Sequence, residues 1–264
     1  MLKLLLATTI LTFSAGTALA QTTSSPTAPP AKSETNKAAV STPAPAEDKA
    51  TPENTDFVFS EAPDDHVIGS DTAPITMIMY ASVTCGHCSH WFQESWPVVK
   101  RELIDTDKMR FILRPLPTPP AMMSVTGFLM AECAPEGEYF NSIEYQMNQQ
   151  EQIFEGAKNG TAQEEYAQVA EISGLNTDEE INACLSDPNN MAHIRVNGRR
   201  ADAAEVKGVP SFFIGGQNYK GRQEGSAIVA LIDGMYEKGQ STLPEGIEPD
   251  DWSSETALPD AHDH

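Results

Sequence analysis

Positive charge is scarce in this chain: 17 Lys and Arg face 38 Asp and Glu over 264 residues, a formal net charge of -21 at pH 7. Such a balance repels nucleic acid and anionic membrane surfaces alike, so neither is expected as a partner. Long hydrophobic runs are also lacking. The apolar stretch from Leu4 to Phe13 is much shorter than the roughly 20 residues a membrane span needs, and no later run reaches that length. Large apolar side chains are nearly missing from residues 21–56, which are rich in Thr, Ser, Ala and Pro. That composition cannot offset the entropy of ordering and predicts a disordered tether; without a helical apolar stripe it does not suit an oligomerisation stalk. Lys and Arg are absent from residues 241–264, an acidic tail expected to be disordered. Cysteine is limited to four, for which three disulfide connectivities exist.

Turning to what is there, Lys3, the apolar stretch after it and Ala18-Leu19-Ala20 predict a secretory signal peptide over residues 1–20. The expectation is a soluble exported protein in a compartment where disulfides persist.

The most informative stretch runs from Ile75 through Met77, Ile78, Met79 and Tyr80 to Cys85-Gly86-His87-Cys88. A nearly unbroken apolar run predicts a central strand covered on both faces. Ser82 and Thr84 end it. Beyond Cys88, Trp91, Phe92, Trp96 and Val99 recur near helical spacing, which places the cysteine pair on a first helical turn, and Pro97 predicts a kink. There the free amide N–H groups and the positive end of the helix dipole favour a Cys85 thiolate, and a protonated His87 adds to this. A thiol with lowered pKa is a good leaving group. The disulfide it forms is therefore readily donated. The rival is a metal site: Cys85, His87, Cys88 and His90 are capable zinc or copper ligands, but no second ligand pair lies at knuckle spacing. His66 and His193 read as isolated packing or surface residues, and His262 and His264 as part of a solvated tail.

Along the rest of the chain, Phe57–Phe59 suggests a short strand and Met109–Leu113 a second buried one, reached by a parallel crossover. Residues 120–206 read as helices over 122–133, 140–149, 161–172, 177–185 and 189–205, with a Thr-x-x-Glu capping box at Thr177. Strands return at 211–214 and 218–219 around Gly215-Gly216-Gln217, followed by an amphipathic helix near 226–238.

A strand, Cys-Gly-His-Cys, a kinked helix, a helical insertion and then Gly208-Val209-Pro210-Ser211-Phe212-Phe213-Ile214 together resemble the DsbA-like branch of the thioredoxin superfamily, over about residues 57–240. The resemblance implies an α/β thioredoxin fold with a helical insertion over about 120–206. It implies that Cys85 forms the mixed disulfide with substrate, that Cys88 resolves it, and that Gly86 and His87 tune the potential. It further implies a cis Val209–Pro210 bond presenting a free backbone edge to substrate, and a structural disulfide between Cys133 and Cys184. The implied clients are reduced, unfolded exported proteins; a membrane DsbB-like, quinone-linked partner re-oxidises the pair. A periplasmic monomer without metal or other cofactor is expected. The family commonly has a buried acid six residues before the first cysteine, where this chain has Met79. A reductase or isomerase kept reduced is the rival within the same chemistry, and a metal-binding chaperone the rival outside it.

Overall fold

The computed structural model describes residues 57–244, so the expected signal peptide, the tether and most of the acidic tail lie outside the described residues. Strands β1 (Val67–Ile68), β2 (Ile75–Ala81), β3 (Met109–Pro115), β4 (Ser211–Ile214) and β5 (Gln217–Tyr219) form one sheet in the order β1-β3-β2-β4-β5. β2 is central, parallel to β3 and antiparallel to β4, with Met79 opposite Leu113 on one side and Phe212 on the other. Both of its faces are covered, which is why its sequence does not alternate. Met77 and Met79 enter a cluster with Trp91, Phe92, Trp96 and Phe111, whereas Ile78 and Tyr80 pack on the opposite face with Ile112, Phe213 and Ala201.

The β2–β3 crossover runs through α1 (Gly86–Glu94), α2 (Trp96–Val99) and a π-helical turn at Lys100–Ile104. The kink expected from Pro97 is present, but the break falls at Ser95. Pro97 has no N–H to offer the preceding turn, and Ser95 Oγ instead accepts the N–H of Gly225 at 2.9 Å. Gly225 opens α9 (Gly225–Glu237), and a Cβ there would come within 2.7 Å of the Ser95 carbonyl oxygen. The β4–β5 hairpin turns at Gly215 and Gly216, with φ of 55° and 81°. Two consecutive positive φ values make glycine the residue that fits both places.

The insertion comprises α3 (Ala121–Glu132), α4 (Tyr139–Asn148), α5 (Gln150–Asn159), α6 (Ala162–Ile172), α7 (Asp178–Ser186) and α8 (Pro188–Ala203). It has a small core of Met130, Ile153, Val169 and Ala170. The capping box at Thr177 forms as read. Helix α5 does not emerge from the sequence reading, because its buried face uses Gln150 and Gly156 beside Ile153 rather than a row of apolar residues. The implied Cys133–Cys184 disulfide is formed, joining the end of α3 to α7 across 51 residues. In the chain-entropy model such a loop is worth about 4 kcal/mol. The Cys133→Ala/Cys184→Ala double variant should lose most of that, measured by urea unfolding; a loss below about 1 kcal/mol would show that the bridge contributes little.

Two expectations are corrected. Phe57–Phe59 is not a strand, because the carbonyls of Val58 and Ser60 accept hydrogen bonds from the Arg114 guanidinium instead of from a neighbouring strand. The acidic tail does not begin at residue 241: Leu243 is buried in the main cluster, and Ser241 lies against the Gly215 turn. Among the described residues no helix is long and apolar enough to cross a membrane.

Candidate active site

Chain geometry at the end of β2 sets the cysteine pair. After Ala81 the chain turns, Cys85 N–H donating to the Ser82 carbonyl at 3.1 Å, and Cys85 becomes the N-cap of α1. Ser82 ends the apolar run for a reason. Fully buried, its hydroxyl accepts the Thr118 N–H at 3.1 Å and bonds to the hydroxyls of Ser124 and Thr84 at 2.8 and 3.0 Å. This ties the turn to the segment after β3 and to α3. From the insertion, Gln150 Nε2 donates to the carbonyls of Val83 and Cys85 at 2.8 and 3.2 Å. Ser89 Oγ donates to the Met147 carbonyl at 2.7 Å, fastening α1 to α4. Buried hydrogen bonds of this kind fix position more than they add stability.

The two thiols differ sharply. Cys85 is half-buried and its pKa is lowered from 9.0 to about 6, first by the hydrogen bond from the Cys88 thiol. The backbone N–H groups of Cys88 and His87 and the charge of His87 lower it further, against desolvation, which raises it. Cys88, fully buried, is pushed strongly upward by desolvation and by the hydrogen bond and charge of Cys85. Near neutral pH the pair therefore holds one accessible thiolate and one protected thiol. Neither cysteine is bonded in this structure. The iodoacetamide reactivity of Cys85 should rise with pH to half its maximum near pH 6; a midpoint near the free-thiol value of about 8.5 would contradict the activation.

Facing Cys85 is main chain from a distant segment: in its protonated form the thiol donates to the Val209 carbonyl at 3.4 Å. Val209–Pro210 is cis, as the resemblance implied. Cys85, Gly86, His87, Cys88, Val209 and Pro210 are thus brought to one place, and Cys133 and Cys184 to another. Gly86 and His87 are exposed. Met79 is fully buried between Leu113 and Phe212, so its position supplies no acid near Cys88. Beside α1 an open cavity of about 440 Å³ is lined by Gly86, His90, Gln93, Gln150, Phe154 and Lys158 among others. Sequence alone assigns no role to Ser82 or Gln150; the polar break in the run is the available signal for Ser82, and Gln150 has none. Nor are His66 and His193 isolated, since both bond to Glu132.

The family model described as thioredoxin matches residues 61–234. A Rickettsia typhi protein, by name a candidate protein-disulfide oxidoreductase, is 27% identical over 177 residues, 66% of this chain and 64% of its own length. The chain thus spans slightly under two thirds of that relative. Wolbachia pipientis α-DsbA1 superposes with a TM-score of 0.61 at 25% identity, covering 70% of this chain and 96% of that one. Oxidised BdbD from Bacillus subtilis shares the fold at a TM-score of 0.52 and 13% identity, over 66% of this chain and 93% of its own.

Proposed function

From a chain that belongs to the thioredoxin family, in the DsbA-like branch of its superfamily, we propose an exported thiol-disulfide oxidoreductase that donates a Cys85–Cys88 disulfide to reduced secreted proteins. The observation that carries this is the Cys85 thiol at the N-cap of α1, its pKa lowered to about 6, facing the Val209 carbonyl.

In the forward direction a client thiolate attacks Cys85 Sγ, a client–Cys85 bond forms, and the Cys85–Cys88 bond breaks. Cys88 leaves and takes a proton. A second client thiolate then attacks the client sulfur of the mixed disulfide and expels Cys85 as a thiolate, which its surroundings stabilise. The client loses two electrons to the cysteine pair. A membrane quinone-linked partner of the DsbB type would remove them. With Met79 in place of an acid, the proton for Cys88 has to come from water or from another group. An extended client segment would lie along the half-buried main chain at Val209, and His87 and Gly86 would set the potential. The protein would act as a monomer in the periplasm.

Direction is what separates this reading from that of a reductase or isomerase. Equilibrating the protein with glutathione redox buffers should give a potential well above that of thioredoxin, about -270 mV. A value near thioredoxin's would defeat the oxidant reading and favour a protein held reduced.

A further inference from the structure

Away from the thiols, three metal-ligating side chains from distant parts of the sequence meet. His66 lies just before β1, Glu132 is the last residue of α3, and His193 is in α8. One carboxylate oxygen of Glu132 is 2.9 Å from His66 Nε2, and the other is 2.7 Å from His193 Nδ1. The three donor atoms all lie within 4.8 Å of one another. The side chains of Glu132 and His193 are 7% and 10% exposed and that of His66 31%, so the group opens to solvent on the His66 side.

Neighbours aim both imidazoles. The His66 ring stacks on Tyr139 with centroids 3.6 Å apart and planes 9° apart. His193 Nε2 meets the Asn197 amide at 3.0 Å. The frame around the group is fixed covalently as well: Cys133, next to Glu132, is bonded to Cys184, and Asn190 of α8 donates its amide N–H to Cys133 Sγ at 3.0 Å.

We propose that His66, Glu132 and His193 bind one zinc(II) ion, at a site separate from the cysteine pair. Two imidazoles and one carboxylate are a zinc donor set that leaves a fourth position for water. Zinc–ligand bonds of about 2.0–2.2 Å at tetrahedral angles place donors about 3.4 Å apart. The two imidazoles bond different oxygens of Glu132, so the pair made through whichever oxygen ligates needs to part by well under about 1 Å, and the three donors, now within 4.8 Å of one another, settle to that spacing. The proton on each imidazole nitrogen that now points at Glu132 moves to the ring's other nitrogen. For His66 that nitrogen is on the more open side. For His193 it faces Asn197, whose amide must turn to present its oxygen, giving up the bond which that oxygen now accepts from Arg200 Nη1 at 3.0 Å, while Arg200 keeps its bonds to Asp64. Orientation of metal-binding imidazoles through their second nitrogen is the usual arrangement in zinc sites. A bound ion would link the segment before β1, the insertion's first helix and its last.

The test uses the full chain with Cys85–Cys88 closed as a disulfide, so that the thiols do not compete, and with His262→Ala and His264→Ala to remove the tail imidazoles. After stripping with a chelator and dialysis against zinc chloride, about one equivalent of zinc should remain and the melting temperature should rise. Cobalt(II) in place of zinc should show visible d–d bands without thiolate charge transfer. His193→Gln and Glu132→Gln should each weaken zinc binding at least about tenfold. His66→Asn, the most exposed change, gives the same readout with the least effect on folding, and circular dichroism of each apo variant checks the fold. No retained zinc, or retention unchanged in a folded His66→Asn, would overturn the proposal.

Discussion

Replacing Cys85 with serine should reduce the catalysed oxidation of a reduced, unfolded client to the uncatalysed rate, a loss of at least about a thousandfold, because an alcohol can neither form the ring nor leave as a stabilised anion. Cys88→Ala should behave differently: its Cys85 thiolate still reacts but cannot close a ring, so treatment with an oxidised client should leave a stable mixed disulfide visible on a non-reducing gel. Should Cys85→Ser retain catalysed oxidation, the assignment of roles fails. The same residue sets a pH dependence. In the folded dithiol its pKa is lowered from 9.0 to about 6, so thiolate stabilisation of the fold is fully present above pH 9 and lost as pH falls through about 6. The stability of the dithiol form relative to Cys85→Ser should therefore rise between pH 6 and 9, as read by urea unfolding at several pH values. The reverse slope would mean that the thiolate is no better placed in the folded protein than in the unfolded chain.

An effect on stability as large as that of the structural disulfide lies away from the cysteines. Arg114 and Asp65 have fully buried side chains and form a bidentate pair, Nε to Oδ1 at 3.0 Å and Nη2 to Oδ2 at 2.8 Å. The guanidinium also donates to the carbonyls of Val58 and Ser60 and to the Tyr80 hydroxyl, while Asp65 Oδ2 accepts the Ala62 N–H. Asp65→Ala leaves a guanidinium buried without its counter-charge and should cost about 3–5 kcal/mol. The Arg114→Met/Asp65→Ala double variant should cost clearly less than the two single changes together, since it removes both charges. Simple additivity in urea unfolding would show that the pair is not acting as a unit.

The parts of the molecule legible in its sequence are those whose physics is local. An unbroken apolar run followed by Cys-x-x-Cys gives β2, the start of α1 and the order of the thiols, because burial on two faces and a helix N-terminus leave marks within a few neighbouring residues. The capping box at Thr177 is equally local. The expected strand at Phe57–Phe59 is a false reading for the complementary reason: the Val58 carbonyl, and that of Ser60 just after the segment, are taken by Arg114, more than fifty residues away. Nothing near Gln150 in sequence announces that it holds the carbonyls of Val83 and Cys85, and nothing near His66 announces Glu132 or His193. The facing Val209 is legible only through resemblance, since a proline opening a strand is commonplace by itself.

The partner that Val209 offers to Cys85 is a peptide oxygen rather than a side chain. Mutation at that position can reshape the surroundings of the sulfur but cannot delete the acceptor, so alanine scanning is blind to it. Only a change to the polymer itself, such as replacing that carbonyl oxygen with sulfur in a chemically ligated chain, which leaves the Pro210 ring intact, would interrogate that oxygen directly. For the same reason, sequence divergence at residue 209 is compatible with an unchanged sulfur–oxygen contact.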